Sequence, residues 1–158
     1  MQENATLDLK ALAAAVEEAA RTNEILRDRM AEGGRCFHLA LYAAMDLADR
    51  LGCACQIIHA ILGNGLVHAW TEVDGKFCVD LTLADEHPEL MTSTKERYLA
   101  IARLSDSRTY GVLEALALTQ QNVDTPGLWH SPFTDQLAVN HKSSERSDQA
   151  TKPESDAD

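Results

Sequence analysis

Basic residues are scarce in this chain: 14 Lys and Arg stand against 25 Asp and Glu, a formal net charge of −11. That balance argues against nucleic-acid binding and against attachment to anionic membranes, because both present phosphate to the protein. A targeting segment is also lacking. Met1-Gln2-Glu3-Asn4 has neither the positive region nor the apolar run of a signal peptide. Long uninterrupted hydrophobic runs are missing too. Residues 52–71 contain no Asp, Glu, Lys or Arg, but Gln56, His59, Gly63-Asn64-Gly65 and His68 break the stretch, so it reads as two buried strands and a turn rather than a membrane span. These absences lead to a cytoplasmic expectation. No internal repeat is visible, and 158 residues suffice for one domain but not comfortably for two.

The four cysteines are Cys36, Cys53, Cys55 and Cys78. Without a secretory signal they do not suggest a disulfide framework. Cys53-x-Cys55 places two thiols on one strand face, as half of a metal site would. No second Cys/His pair at zinc spacing follows, so neither metal nor cofactor is expected. Cys53, Cys55 and Cys78 then read as small buried hydrophobes.

With 45% apolar residues the chain can build a core. Leu7, Leu9, Leu12, Val16 and Ala19 form an apolar stripe that predicts one helix over residues 6–31, capped by Thr6 or Asn4 and ended by Gly33-Gly34. A second helix is expected over residues 36–51. Its apolar residues lie nearly all round, which suits a central element, and Gly52 follows as a C-cap. Three strands should come next, at 53–62, 66–73 and 76–83, with turns at Gly63-Asn64-Gly65 and Asp74-Gly75. Ser93 and Glu96 form a capping box for a helix at 94–104, and another helix is expected at 107–120. Residues 122–140 look irregular. From Lys142 the chain is polar and charged, so 142–158 is expected to be a disordered tail. The organisation is therefore one α+β domain over 1–141, with its core at 33–83 and a helical C-terminal part at 93–121.

Three residues could form a site. Cys36 follows a glycine break and begins an apolar helix, where unpaired backbone N–H groups and the helix dipole favour a thiolate nucleophile. Its own N–H could face a developing oxyanion. His68, on the second strand, is a base able to take the thiol proton and return it to a leaving amine. Asp80, in the apolar run Phe77-Cys78-Val79-Asp80-Leu81, needs a donor if it is buried, and His68 is the obvious one. Strand alternation tests the pairing. A two-residue turn at Asp74-Gly75 would put His68 and Asp80 on opposite faces. A three-residue loop, Val73-Asp74-Gly75, pairs Glu72 with Lys76 and sets His68 opposite Asp80, with Gly75 left-handed. The odd-length loop is the prediction.

The segments Gly34-Arg35-Cys36-Phe37-His38-Leu39-Ala40, His68-Ala69-Trp70-Thr71-Glu72-Val73 and Asp80-Leu81-Thr82 resemble the core of the bacterial transglutaminase-like superfamily. The short gaps are most similar to its compact branch, which includes the cysteine proteases that remove leader peptides from lasso-peptide precursors. The likeness spans roughly residues 33–83. It implies a papain-like fold, with the nucleophile's helix packed on a small antiparallel sheet, and Cys36, His68 and Asp80 as nucleophile, base and orienter. Arylamine N-acetyltransferases have a similar Cys–His–Asp set, but this chain is too short for their usual domains.

The expected function is a cysteine hydrolase cutting a peptide or amide bond through a thioester, with a peptide or protein as substrate. Alternatives are an acyl or amine transferase using the same three residues, or a non-catalytic interaction domain that meets a protein partner through its C-terminal helical region.

Overall fold

The apolar run that begins at Cys36 forms a helix over Cys36–Leu51, with the bounds its pattern predicts. Ala40, Ala43 and Ala44 are buried on it, and small side chains let its backbone approach a sheet closely. The Thr71 hydroxyl closes that approach by donating to the Ala40 carbonyl over 2.7 Å. The protein is described by a computed structural model covering residues 7–32 and 36–121.

Among those residues the architecture is α+β, with six helices and one five-stranded antiparallel sheet. The order along the chain is α1 (Leu9–Thr22), α2 (Glu24–Glu32), α3 (Cys36–Leu51), β1 (Cys55–Leu62), β2 (Val67–Val73) and β3 (Phe77–Val79). A 3-10 turn at Leu81–Leu83 follows, then α4 (Pro88–Met91), β4 (Thr92–Thr94), α5 (Lys95–Ala102), β5 (Leu104–Gly111) and α6 (Val112–Gln121). Spatially the strands run β4-β3-β2-β1-β5. One face of the sheet packs on α1 and α3 through Ile57, Ala69, Val73 and Val79. The other carries a smaller cluster, Ile58, Ala60, Trp70 and Cys78, covered by Tyr98 of α5. No helix among the described residues is long and apolar enough to cross a membrane.

Several expectations need correction. The helix expected over 6–31 is two helices, because Asn23 is extended and its side-chain oxygen accepts from Leu26 N at 3.2 Å, starting α2 afresh. The first helix is capped by Asp8, whose carboxylate accepts from Ala11 N at 2.7 Å. The third strand is only three residues long, since Asp80 turns the chain by capping the 3-10 turn.

The C-terminal part is not simply helical. Ser93 lies in β4, and Thr94 is the cap of α5, its hydroxyl accepting from Arg97 N. Residues 104–111, expected in part as helix, instead pair with β1 from Gln56 to Leu62, with a register shift between Ile61 and Leu62. An unpaired edge of β1 needs a backbone partner more than it needs apolar side chains. Only Tyr110 of that strand is buried, so no alternation announced it. The pairing also places β1 inside the sheet, which buries His59 between Phe37 and Tyr110 with ring centroids 4.8 Å away on each side. The caps expected at Asn4 and Thr6, the Gly33-Gly34 break, the irregular segment 122–140 and the tail 142–158 lie outside the described residues.

Candidate active site

The β2–β3 connection sets the site. Its loop has three residues, as expected, but they are Asp74-Gly75-Lys76: the register pairs Val73 with Phe77, Glu72 with Cys78 and Thr71 with Val79. The expected pairing of Glu72 with Lys76 is therefore off by two residues. Asp74 (φ 51°) and Gly75 (φ 66°) are both left-handed, and Lys76 N donates back to the Val73 carbonyl at 3.0 Å. Because a shift of two preserves side-chain alternation, His68 and Asp80 still share a face. They sit diagonally rather than directly opposite, and the chain's turn after Val79 closes the gap.

His68 Nε2 meets Asp80 Oδ2 at 2.7 Å. The same oxygen accepts from the Tyr98 hydroxyl, also at 2.7 Å. The other oxygen, Oδ1, accepts from the Thr82 hydroxyl at 2.5 Å and from Thr82 N at 3.1 Å. Asp80 is only 2% exposed and His68 19%. Burial works against charge on Asp80, but His68, Thr82 and Tyr98 together outweigh it and hold the carboxyl below its usual range. Burial likewise opposes a charged His68. The Asp80 carboxylate and then Cys36 overcome it and push the imidazole up to about 10. Tyr98 is pushed far up by burial and by the adjacent carboxylate, so it stays a hydrogen-bond donor at all ordinary pH values.

Cys36 opens α3 and is partly exposed. That helix packs on the opposite face of the sheet from the His68 side chain, so the meeting of sulfur and imidazole needs an opening. It exists because β3 pairing ends at Thr71 and Val79, leaving residues 67–70 with no β3 neighbour. The Cys36 thiol is close enough to act electrostatically on the ring. Asp80 occupies Nε2, so Nδ1 is the nitrogen left to serve the sulfur. The three expected residues are thus brought to one locality from α3, β2 and the end of β3.

The remaining thiols differ in kind. Burial pushes Cys78 up to about 12 and drives Cys53 and Cys55 upward as well. The sulfurs of Cys53 and Cys55 lie 3.6 Å apart, and no third ligand joins them, since no cluster of three metal-ligating side chains occurs among the described residues. Gln56, whose amide could in type serve as a second oxyanion donor, pairs with Glu72, four residues along β1 from Ala60, the partner of His68. That offset is about 13 Å at the usual strand rise, too far to serve the site. Arg35, which precedes the thiol in sequence, lies outside the described residues, as do Trp129 and His130.

Sequence reasoning missed Tyr98. Its only trace was an aromatic inside a short helix, four residues after the Thr94 cap and with no spacing relation to His68 or Asp80. The structure also opens a cavity of about 570 Å³ whose walls include His68, Asp80 and Tyr98. No family model matches the chain, and no curated protein or solved structure matches it either.

Proposed function

We propose that this protein is a cysteine hydrolase of the transglutaminase-like kind, acting on a peptide or amide bond in the cytoplasm. The observation that carries the reading is the 2.7 Å bond from His68 to a buried, fully satisfied Asp80, with the thiol at the start of α3 acting on the same ring. A helix bearing the nucleophile, set against antiparallel strands bearing base and carboxylate, also resembles the papain-like arrangement that the sequence motifs suggested.

The chemistry follows from these groups. His68 holds the proton that Cys36 gives up, and the helix start favours the resulting thiolate. The sulfur attacks the carbonyl carbon, and the Cys36 N–H, in the first helical turn where no intrahelical acceptor exists, faces the developing oxyanion. The C–N bond breaks as the amine takes the proton from His68, leaving a thioester. Water then adds while His68 removes its proton. The C–S bond breaks, the acid departs, and sulfur and imidazolium are restored. Asp80 keeps the ring oriented and stabilises its charged form throughout. An amine in place of water would give transfer from the same intermediate.

Alkylation tests this directly. Iodoacetamide at pH 7, followed by peptide mapping, should modify Cys36 at least about tenfold faster than Cys53, Cys55 or Cys78. Cys36→Ala should abolish hydrolysis of any peptide the native protein cleaves while leaving the thermal midpoint essentially unchanged. Equal labelling of the four cysteines, or cleavage that survives the substitution, would sink the reading.

A further inference from the structure

The cavity beside the dyad has a chemical character of its own. Its walls are mostly apolar: Leu62 from the end of β1, Leu83 from the 3-10 turn, Leu90 from α4, and Ile101 with Ala102 from α5. Residues 84–102, which lie outside the span of the transglutaminase-like resemblance, thus supply much of one wall. Ile101 is 57% exposed, so its side chain is open to a ligand entering the cavity. The volume of about 570 Å³ lies within the range of roughly 300–1,000 Å³ typical of ligand sites. Gly63 permits the tight closure of the far wall, since a Cβ there would stand 2.9 Å from the Arg103 carbonyl oxygen.

Position relative to the reacting atoms decides what the cavity holds. His68 and Asp80 are among its walls and Cys36 is not, so it lies on the imidazole side of the sulfur. In thioester chemistry the imidazole side is where the amine leaves, because His68 must protonate that nitrogen. We infer that this cavity binds the amine-side segment of the substrate, receiving a large apolar side chain from the first residues after the scissile bond. The inference rests on the hydrolase reading for the direction of the chain, and on the cavity walls alone for the apolar preference. Aliphatic walls reward a Leu, Ile, Met or Phe side chain over an Ala, which would leave much of that apolar surface uncovered.

The probe is leucinamide, which reproduces the free amine and apolar side chain of the departing product, with alaninamide as the control. Titration into the full chain should give saturable shifts in the methyl NMR signals of Leu83, Leu90 and Ile101. Alaninamide should bind at least about tenfold more weakly. Ile101→Glu changes an exposed side chain and should remove leucinamide binding while leaving the urea-unfolding midpoint essentially unchanged. In parallel, sequencing of cleaved peptide libraries should find Leu, Ile, Met or Phe enriched within two residues after the cut.

Absence of saturable shifts overturns the cavity assignment whether or not the protein cleaves peptides. So does equal binding of the two amides, or a cleavage pattern without apolar enrichment on that side. Saturable shifts in a protein whose Cys36 alkylates no faster than Cys53 would instead remove the hydrolase reading, and the amine-side assignment with it.

Discussion

Four donors converge on the Asp80 carboxylate: His68, Tyr98, and the hydroxyl and backbone N–H of Thr82. A buried carboxylate satisfied in this way stays ionised and gives the imidazole a fixed counter-charge. In Asp80→Asn the charge disappears, and the His68 titration midpoint should fall from about 10 toward the ordinary histidine value of 6.5. Imidazole NMR signals followed from pH 5 to 11 would read this; an unmoved midpoint would show that Asp80 does not set the ring's protonation. Tyr98 reaches the imidazole only through Asp80, to which its hydroxyl donates. Tyr98→Phe keeps the ring packed against Trp70, whose centroid is 5.0 Å away, and removes only the hydroxyl. Loss of one hydrogen bond to a charged group should cost about 1.5–3 kcal/mol in urea unfolding. The same variant should lower the His68 midpoint less than Asp80→Asn does, because the carboxylate remains. A stability equal to that of the parent would mean that Asp80 does not need this donor.

At the scale of elements, two short irregularities position the long ones. Asn23 separates α1 from α2, capping the second helix while its amide donates to Asp46 of α3 at 3.0 Å. One side chain thus orients two helices against a third. Asn23→Ala should cost about 1–2 kcal/mol in the same assay, as a lost cap generally does, and a change below a few tenths would show that packing alone holds the joint. The other irregularity is the Asp74-Gly75-Lys76 loop. A loop one residue shorter would place His68 and Asp80 on opposite faces of the sheet, and no rotamer change would restore the bond. The ion pair between Lys95 Nζ and Glu72 Oε1, 2.8 Å long, ties the start of α5 to β2 and so holds Tyr98 over the sheet.

Over the whole molecule the dyad links stability to pH. His68 is charged more readily in the folded state, so its contribution is complete below about pH 6.5, where the unfolded ring is also protonated. It shrinks as pH rises and is gone above about 10. Asp80 is shifted the other way. Its contribution is present above the ordinary carboxyl value of 3.8 and is lost as pH falls through its lowered folded value. Unfolding free energies of the native chain and of His68→Gln, measured in urea from pH 5 to 10.5, should therefore differ most near pH 5–6 and converge toward pH 10. A difference that does not vary with pH would mean the ring is not held protonated in the fold.

What could be read from the residues was whatever depends on neighbours along the chain. The apolar run at 36–51 determined a central helix with Cys36 at its start. The ends of β1 and β2 followed closely from Gly52, Gly63-Asn64-Gly65 and Asp74-Gly75, where glycine and short polar residues permit turns. The need of a carboxylate in an apolar run for a donor linked Asp80 to His68. What depended on distant backbone was hidden. Only the folded sheet decided that residues 104–111 are a strand, because their hydrogen-bond partners lie on β1 and their exposed side chains carry no alternation. Only tertiary packing brought Tyr98 onto Asp80, buried His59, and raised α4 and α5 into a cavity wall, since each of these is a contact between segments whose spacing in sequence has no period to betray it.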